Sequence, residues 1–286
     1  MVTPQSIMAV GAHADDIEVG CGGSLAKYHD QGYGIVYVMS TNNMSGNVQE
    51  RQPDGSIKRW KETPGPMMAR RKRECDTAAA LLGATPIHLD HPQRHYTDAS
   101  GETVELRYGC VLPAGVSEDV PSILTACGNG PSVQRVVDLI LEQDPACIFT
   151  HGLSSHNIEH LATCLLVTKA FWQAVDEGYR GALLHWREDY TSYGPANTKW
   201  DTFIDISRYL DRKMELLGKH ACQMPTAHEP DHGHRLRPMK WGTVCGCAAA
   251  EVFTWVLQER RPDLDSTQTC YSPLQAELIQ HSSGHA

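Results

Sequence analysis

Apolar residues in this chain come in short blocks, separated by polar stretches rich in Gly and Pro. The run SIMAVGA at 6–12 is almost uninterrupted and reads as a buried strand. Residues 22–31, GGSLAKYHDQ, read as a helix with Gly32 as its C-cap, and GIVYVMST at 34–41 reads as a second strand bounded by Gly and Asn. Strand, helix and strand in that order make a βαβ unit, which implies a parallel pair joined by a right-handed crossover.

The alternation continues along the chain. Residues 42–66 are polar, rich in Gly, Pro and Asn, and read as a long loop; a helix is predicted at 67–82, stopped by Gly83, and TPIHLD supplies a third strand. Residues 92–130 are again loop-like, and loops of that length in a compact domain often carry function. Next come a helix (VQRVVDLILEQ), a strand that ends in a His (PACIFTHG), a helix (NIEHLATCLLVTKAFWQAV), a strand (GALLHWRE) and a short strand, TFIDIS, leading into the helix RYLDRKMELLGKH. CGCAAAEVFTWVLQ is predicted as a final helix. No repeat or linker divides the chain, so 1–286 reads as one domain with its core at about 6–253, insertions at about 42–66 and 92–130, and a tail at about 260–286. The expected fold class is α/β: a Rossmann-like, doubly wound, mostly parallel sheet with helices on both faces, which binds ligands at the carboxyl ends of its strands.

Composition narrows the function classes. A net charge of -9 over 286 residues argues against nucleic acid as a partner, since that contact depends on neutralising phosphates. The N-terminus lacks the basic region and apolar length of a signal peptide, and no run of 18 apolar residues marks a membrane span, so a soluble, cytoplasmic protein is expected. Ten cysteines are scattered without a CxxC pair and read as reduced packing residues, with a disulfide among them as the other reading. A homo-oligomer is the expectation for a soluble enzyme, although no segment marks an interface.

The chemistry concentrates where the first strand ends, in AHADD. Adjacent carboxylates repel, so Asp15 and Asp16 call for a positive charge beside them. His13 and Asp16 lie three apart, a spacing that lets a short turn aim both at one point, and imidazole with carboxylate suits Zn²⁺ or another divalent transition metal. Asp15 would then stay uncoordinated and accept a proton from an activated water. A third ligand is offered by HGLSSHNIEH, where spacing does not choose among His151, His156 and His160. The competing structural explanation is that the Asp pair caps the helix from 17 onward.

At these residues the chain resembles the LmbE/PIG-L-like family of zinc-dependent deacetylases acting on N-acetylglucosamine-type amides. That family shows a strand, AHPDD and GCGGTLA; here stands AHADDIEVGCGGSLA. Its HPDH or NxDH element at a helix start is matched by NIEHLAT, with Asn157 and His160, and its RxxE element by Arg71 and Glu74. Weaker late matches are Asp205, Ser207, Lys213, His220, Gln223 and AAAEVF, so the likeness runs over roughly 6–253. The resemblance implies an LmbE-like fold, His13, Asp16 and His160 as zinc ligands, Asp15 as general base, and removal of an N-acyl group, most often acetyl, from an amino sugar, a sugar conjugate or a related small molecule.

Three departures shape the remaining assignments. Ala14 replaces the family's Pro. Asn157 replaces the first His of HPDH; its amide can donate to an oxyanion but cannot supply a proton, which leaves His156, His220 or His228 as the acid. Gln93 stands where some relatives carry a sugar-contacting Asp. Arg71, Gln93 and His220 are the expected substrate contacts. The histidines of HEPDHGHRLRP at 228–238 read as a solvated loop, with a second metal site or a pocket lid as the other readings. Rival functions are a non-catalytic sugar or metal binder of the same fold and a phospho-acceptor signalling domain, whose Mg²⁺ site would make poor use of His13.

Overall fold

A computed structural model describes residues 5–106, 119–153, 155, 157–187 and 202–256. In chain order its elements are β1 (Ser6–Gly11), α1 (Asp16–Asp30), β2 (Gly34–Thr41), β3 (Asn47–Arg51), β4 (Ile57–Lys61), α2 (Pro64–Ala80) and β5 (Ile87–His91). Then follow β6 (His95–Thr97), β7 (Thr103–Glu105), α3 (Ile123–Ala126), α4 (Gly130–Gln143), β8 (Cys147–His151) and α5 (Ile158–Asp176). The last are β9 (Ala182–Trp186), β10 (Thr202–Asp205), α6 (Leu210–Leu217), α7 (Gly233–Cys245) and β11 (Ala250–Trp255).

Seven strands form one sheet in the order β10-β11-β9-β8-β1-β2-β5. β1 pairs in parallel with both β2 and β8, while β11 runs antiparallel to β9 and β10. Both faces are covered, as the near-continuous apolar strands require. Along β1, Ile7 and Ala9 join a core with Ile17, Leu25 and Tyr28 of α1, whereas Met8 and Val10 join a second core with Val137 of α4 and Leu166 and Phe171 of α5. The chain proceeds from β1 outward to β2 and β5, then returns to β8 on the other side. That reversal makes the carboxyl ends of β1 and β8 the switch point at which open α/β sheets bind ligands.

Helix α1 begins at Asp16, six residues before its predicted start at 22. The glycines that made its first turns look unhelical serve close packing: a Cβ on Gly20 would lie 2.4 Å from Trp186 Cδ2, and one on Gly23 2.6 Å from Ile206 Cδ1. The expected loop at 42–66 holds the hairpin β3–β4 and the first turn of α2. Its apolar contact is small, Val48 and Trp60 packing on Met67 and Cys222, so the period-two signal is faint. The insertion at 92–130 contains the small hairpin β6–β7 and α3, and its residues 107–118 lie outside the described residues, as does the tail at 260–286.

Two further expectations are corrected. Residues 250–255 are the strand β11, not a helix: Ala-Glu propensity yields to two strand partners and to Val252 and Phe253, buried in separate apolar clusters. The 228–238 segment is not simply a loop, because α7 starts at Gly233 and carries Pro238 inside it. His232 caps α7 by accepting from the His234 N–H at 3.3 Å, and His234 is buried. Among the described residues no helix is long and apolar enough to cross a membrane.

Candidate metal centre

The turn after β1 is held from both sides. Thr41 Oγ1 donates to the Ala12 carbonyl at 2.6 Å, and the Ala14 N–H donates to Asn43 Oδ1 at 2.8 Å. A proline at 14 would have no N–H to give, so here a hydrogen bond does the work of a ring. The His13 N–H donates to Asp16 Oδ2 at 2.6 Å, folding the turn so that both side chains face the same way.

His160, in the first turn of α5, meets them there. His13 Nδ1 lies 3.0 Å from His160 Nε2 and 3.2 Å from Asp16 Oδ2, and His160 Nε2 lies 3.4 Å from Asp16 Oδ1. All three residues are buried, and their donor atoms lie within 4.8 Å of one another. A tetrahedral ion with bonds of about 2.1 Å holds its ligand atoms about 3.4 Å apart, so this donor set fits zinc or a similar divalent cation. Of the other two candidate histidines, His151 alone is among the described residues. His151 Nε2 accepts from the Ala12 N–H at 2.9 Å, which occupies its lone pair, and His156 lies outside the described residues.

The far nitrogen of His13 is also engaged: Nε2 lies 2.6 Å from Glu159 Oε2. Glu159 in turn accepts from Gln93 Nε2 at 3.0 Å and from the Arg94 N–H at 2.6 Å. Gln93 Oε1 takes the Ser45 N–H at 2.8 Å, so Gln93, 3% exposed, props Glu159. Residue reasoning missed Glu159, although a carboxylate next to a candidate ligand in NIEH was the available signal. A carboxylate behind a ligating imidazole fixes its tautomer and orientation.

Asp15 occupies the N-cap position of α1 without a side-chain capping bond, and Asp16 stands in the helix's first turn. The Asp15 φ of 119° lies in a region that costs a non-glycine residue about 1–3 kcal/mol. Arg71, buried on α2, donates to Asp15 Oδ1 at 3.0 Å and also to the Ala14 carbonyl. Asn157 is the N-cap of α5, its Oδ1 accepting from the Glu159 N–H at 2.9 Å. His220 is fully buried, with Nε2 3.0 Å from Glu18 Oε2, and His228 is exposed.

The electrostatics ask for a cation. Burial opposes a charge on His13, yet Asp16 and Glu159 overcome it and raise the imidazole to about 10. Burial likewise disfavours the Asp16 carboxylate, but His160, His13 and His151 hold it well below its ordinary value. Glu159 falls to about 2 because its His13, Arg94 and Gln93 bonds outweigh burial. Asp15 differs: burial raises it to about 6, with Arg71 pulling the other way.

Comparison with known proteins gives a consistent picture. A family model described as PIG-L, GlcNAc-PI de-N-acetylase, matches residues 8–171. A 1D-myo-inositol 2-acetamido-2-deoxy-alpha-D-glucopyranoside deacetylase of Kineococcus radiotolerans is 26% identical over 186 residues, 63% of this chain and 48% of that protein. The chain spans less than half the length of the first curated relatives it matches. Among solved structures, the N,N'-diacetylchitobiose deacetylase of Pyrococcus horikoshii aligns with TM-score 0.59 and 17% identity over 88% of this chain and 84% of that one. The 4-carboxy-2-hydroxymuconate hydratase GalB of Pseudomonas putida aligns with TM-score 0.62 and 18% identity over 91% and 100%. At these identities the structural likeness establishes the fold alone.

Proposed function

The chain belongs to the PIG-L family, and from that premise we propose that it is a metal-dependent N-deacetylase that hydrolyses the acyl amide of an amino sugar, a sugar conjugate or a related small molecule. The observation that carries this reading is the convergence of His13 Nδ1, Asp16 and His160 Nε2 at 3.0–3.4 Å beside a strained, uncoordinated Asp15. His13, Asp16 and His160 would hold Zn²⁺ or another divalent transition metal. When bound, such an ion polarises the acyl carbonyl and lowers the pKa of water.

The remaining work falls to the chain's own side chains. Asp15 takes the proton of the attacking water, with Arg71 fixing its Oδ1 and leaving Oδ2 to receive it. Arg71 thereby acts through Asp15. Asn157 has its Oδ1 committed to the helix cap and so offers Nδ2 to the developing oxyanion. With His220 engaged by Glu18 and His228 exposed, His156 is the remaining candidate to supply the proton that the leaving amine needs. Glu159, steadied by Gln93, keeps His13 turned so that Nδ1 faces His160 and Asp16.

The test is a panel of N-acetylated sugars, sugar conjugates and non-sugar amides, read by free amine and carboxylate released by the zinc-loaded protein. Release by the wild type and its loss in Asp15→Ala with zinc retained is expected. Full activity in Asp15→Ala would remove the role given to Asp15. Binding of N-acyl sugars without turnover would favour a binder of the same fold, and water uptake by an unsaturated acid without amine release would favour a hydratase.

A further inference from the structure

Away from the metal centre, Cys245 and Cys247 close α7 and lead into β11, with their sulfurs 3.4 Å apart. Gly246 between them is left-handed, at φ 84°, and caps α7. A folded residue at this place draws its neighbours toward the Cα separation of about 5.5 Å that disulfides use. Both cysteines are half-buried, whereas Cys21, Cys75, Cys147, Cys164 and Cys222 are buried. We propose that Cys245 and Cys247 form a reversible oxidation site in which a peroxide converts the dithiol to an intrachain disulfide.

The two sulfurs have different parts. The Cys247 thiol donates to the Ala249 carbonyl at 3.3 Å, while the Cys245 thiol reaches the Gly242 carbonyl only at 3.7 Å. Burial and then the Cys245 sulfur push the Cys247 thiol up to about 12. Cys245 therefore meets the oxidant first. Its sulfur, having lost its proton, attacks one peroxide oxygen, the O–O bond breaks, and a sulfenic acid and one water result. Cys247 then attacks that sulfur; the S–S bond forms, the S–O bond breaks, and the oxygen leaves as a second water with the Cys247 proton. A thiol reductant reverses the change. The bridge would stiffen the joint at which Trp241 of α7 packs on Ala250 and Val252 of β11.

The full-length reduced protein is exposed to hydrogen peroxide, alkylated, and cleaved after Lys and Arg, which places both cysteines on the peptide 241–260. The expected result is that this peptide becomes lighter by two hydrogens and takes no alkyl group, with both thiols returning after reduction and Trp241 fluorescence following the same course. Loss of the internal bridge in Cys245→Ser and in Cys247→Ser supports the assignment. Two alkylated cysteines on the wild-type peptide, at a dose that oxidises the half-buried Cys127, would overturn it, as would irreversible oxygen addition at either sulfur. The wild-type readout needs no variant to fold.

Discussion

Helix α1 is gripped by buried charges at two places, and they are built on opposite plans. Midway along it, Lys213 Nζ donates to Glu251 Oε1 at 2.6 Å and to the carbonyls of Glu18 and Val19 at 2.7 and 2.8 Å. Glu251 also accepts from the Gly23 and Ser24 N–H groups and from Ser24 Oγ. One cation meets one anion there, the bonds of both are filled, and the backbone is relaxed helix. At the N-terminus, Asp15, Asp16 and Glu159 crowd around two imidazoles with Arg71 as the nearby guanidinium, and Asp15 sits at φ 119°. A balanced network ties elements together. A network with surplus negative charge and local strain has the character of a functional site.

The contrast is broken most forcefully by removing one charge from each. Asp15→Ala should lower amine release by about 10²–10⁴-fold with little change in melting, whereas Lys213→Met should leave turnover per folded molecule near wild type and cost about 3–5 kcal/mol in denaturant melts, because it strands Glu251. The opposite pattern, an inert Asp15 and a catalytic Lys213, would invert the assignment of the two networks. A subtler probe is Glu159→Gln, which keeps shape and removes charge behind His13: zinc affinity, measured by chelator competition, should weaken about 10–100-fold. Unchanged affinity would mean that Glu159 does not steer His13.

The smallest effect concerns pH. Burial and then Arg237 and Lys213 push His234 down to about 3, so it stays neutral in the fold while its unfolded counterpart protonates near pH 6.5. Between those values the unfolded chain binds more protons, and stability falls as pH drops through that window. The unfolding free energy from denaturant melts should decline by about 1–2 kcal/mol between pH 7 and 5, with a flatter curve for His234→Gln. An equally steep curve in the variant would assign the decline to other groups.

Much of this contrast was legible in the sequence on the catalytic side and little of it on the structural side. AHADD announces itself because adjacent like charges after a strand call for a positive neighbour, NIEH was picked out by the family resemblance, and the alternating blocks gave the order of β1, α1, β2, β8 and α5. Glu251 was hidden inside AAAEVF, whose local propensity favours helix until the pairing of β11 with β9 and β10 overrides it. The β3–β4 hairpin was marked only by Pro53-Asp54-Gly55, with Asp54 accepting from the Ser56 N–H at 2.9 Å in the turn. Arg71 was expected as a substrate contact, and its bond to Asp15 was not foreseen, since spacing along a chain does not reveal which side chain a helix from elsewhere will deliver.

The most direct measurement is the stoichiometry of zinc bound by chelator-stripped protein, compared between the wild type and His160→Ala. The account predicts one tightly held ion per chain in the wild type and its loss in the variant, with the fold intact by circular dichroism. An undiminished ion in His160→Ala, or none in the wild type, would contradict it.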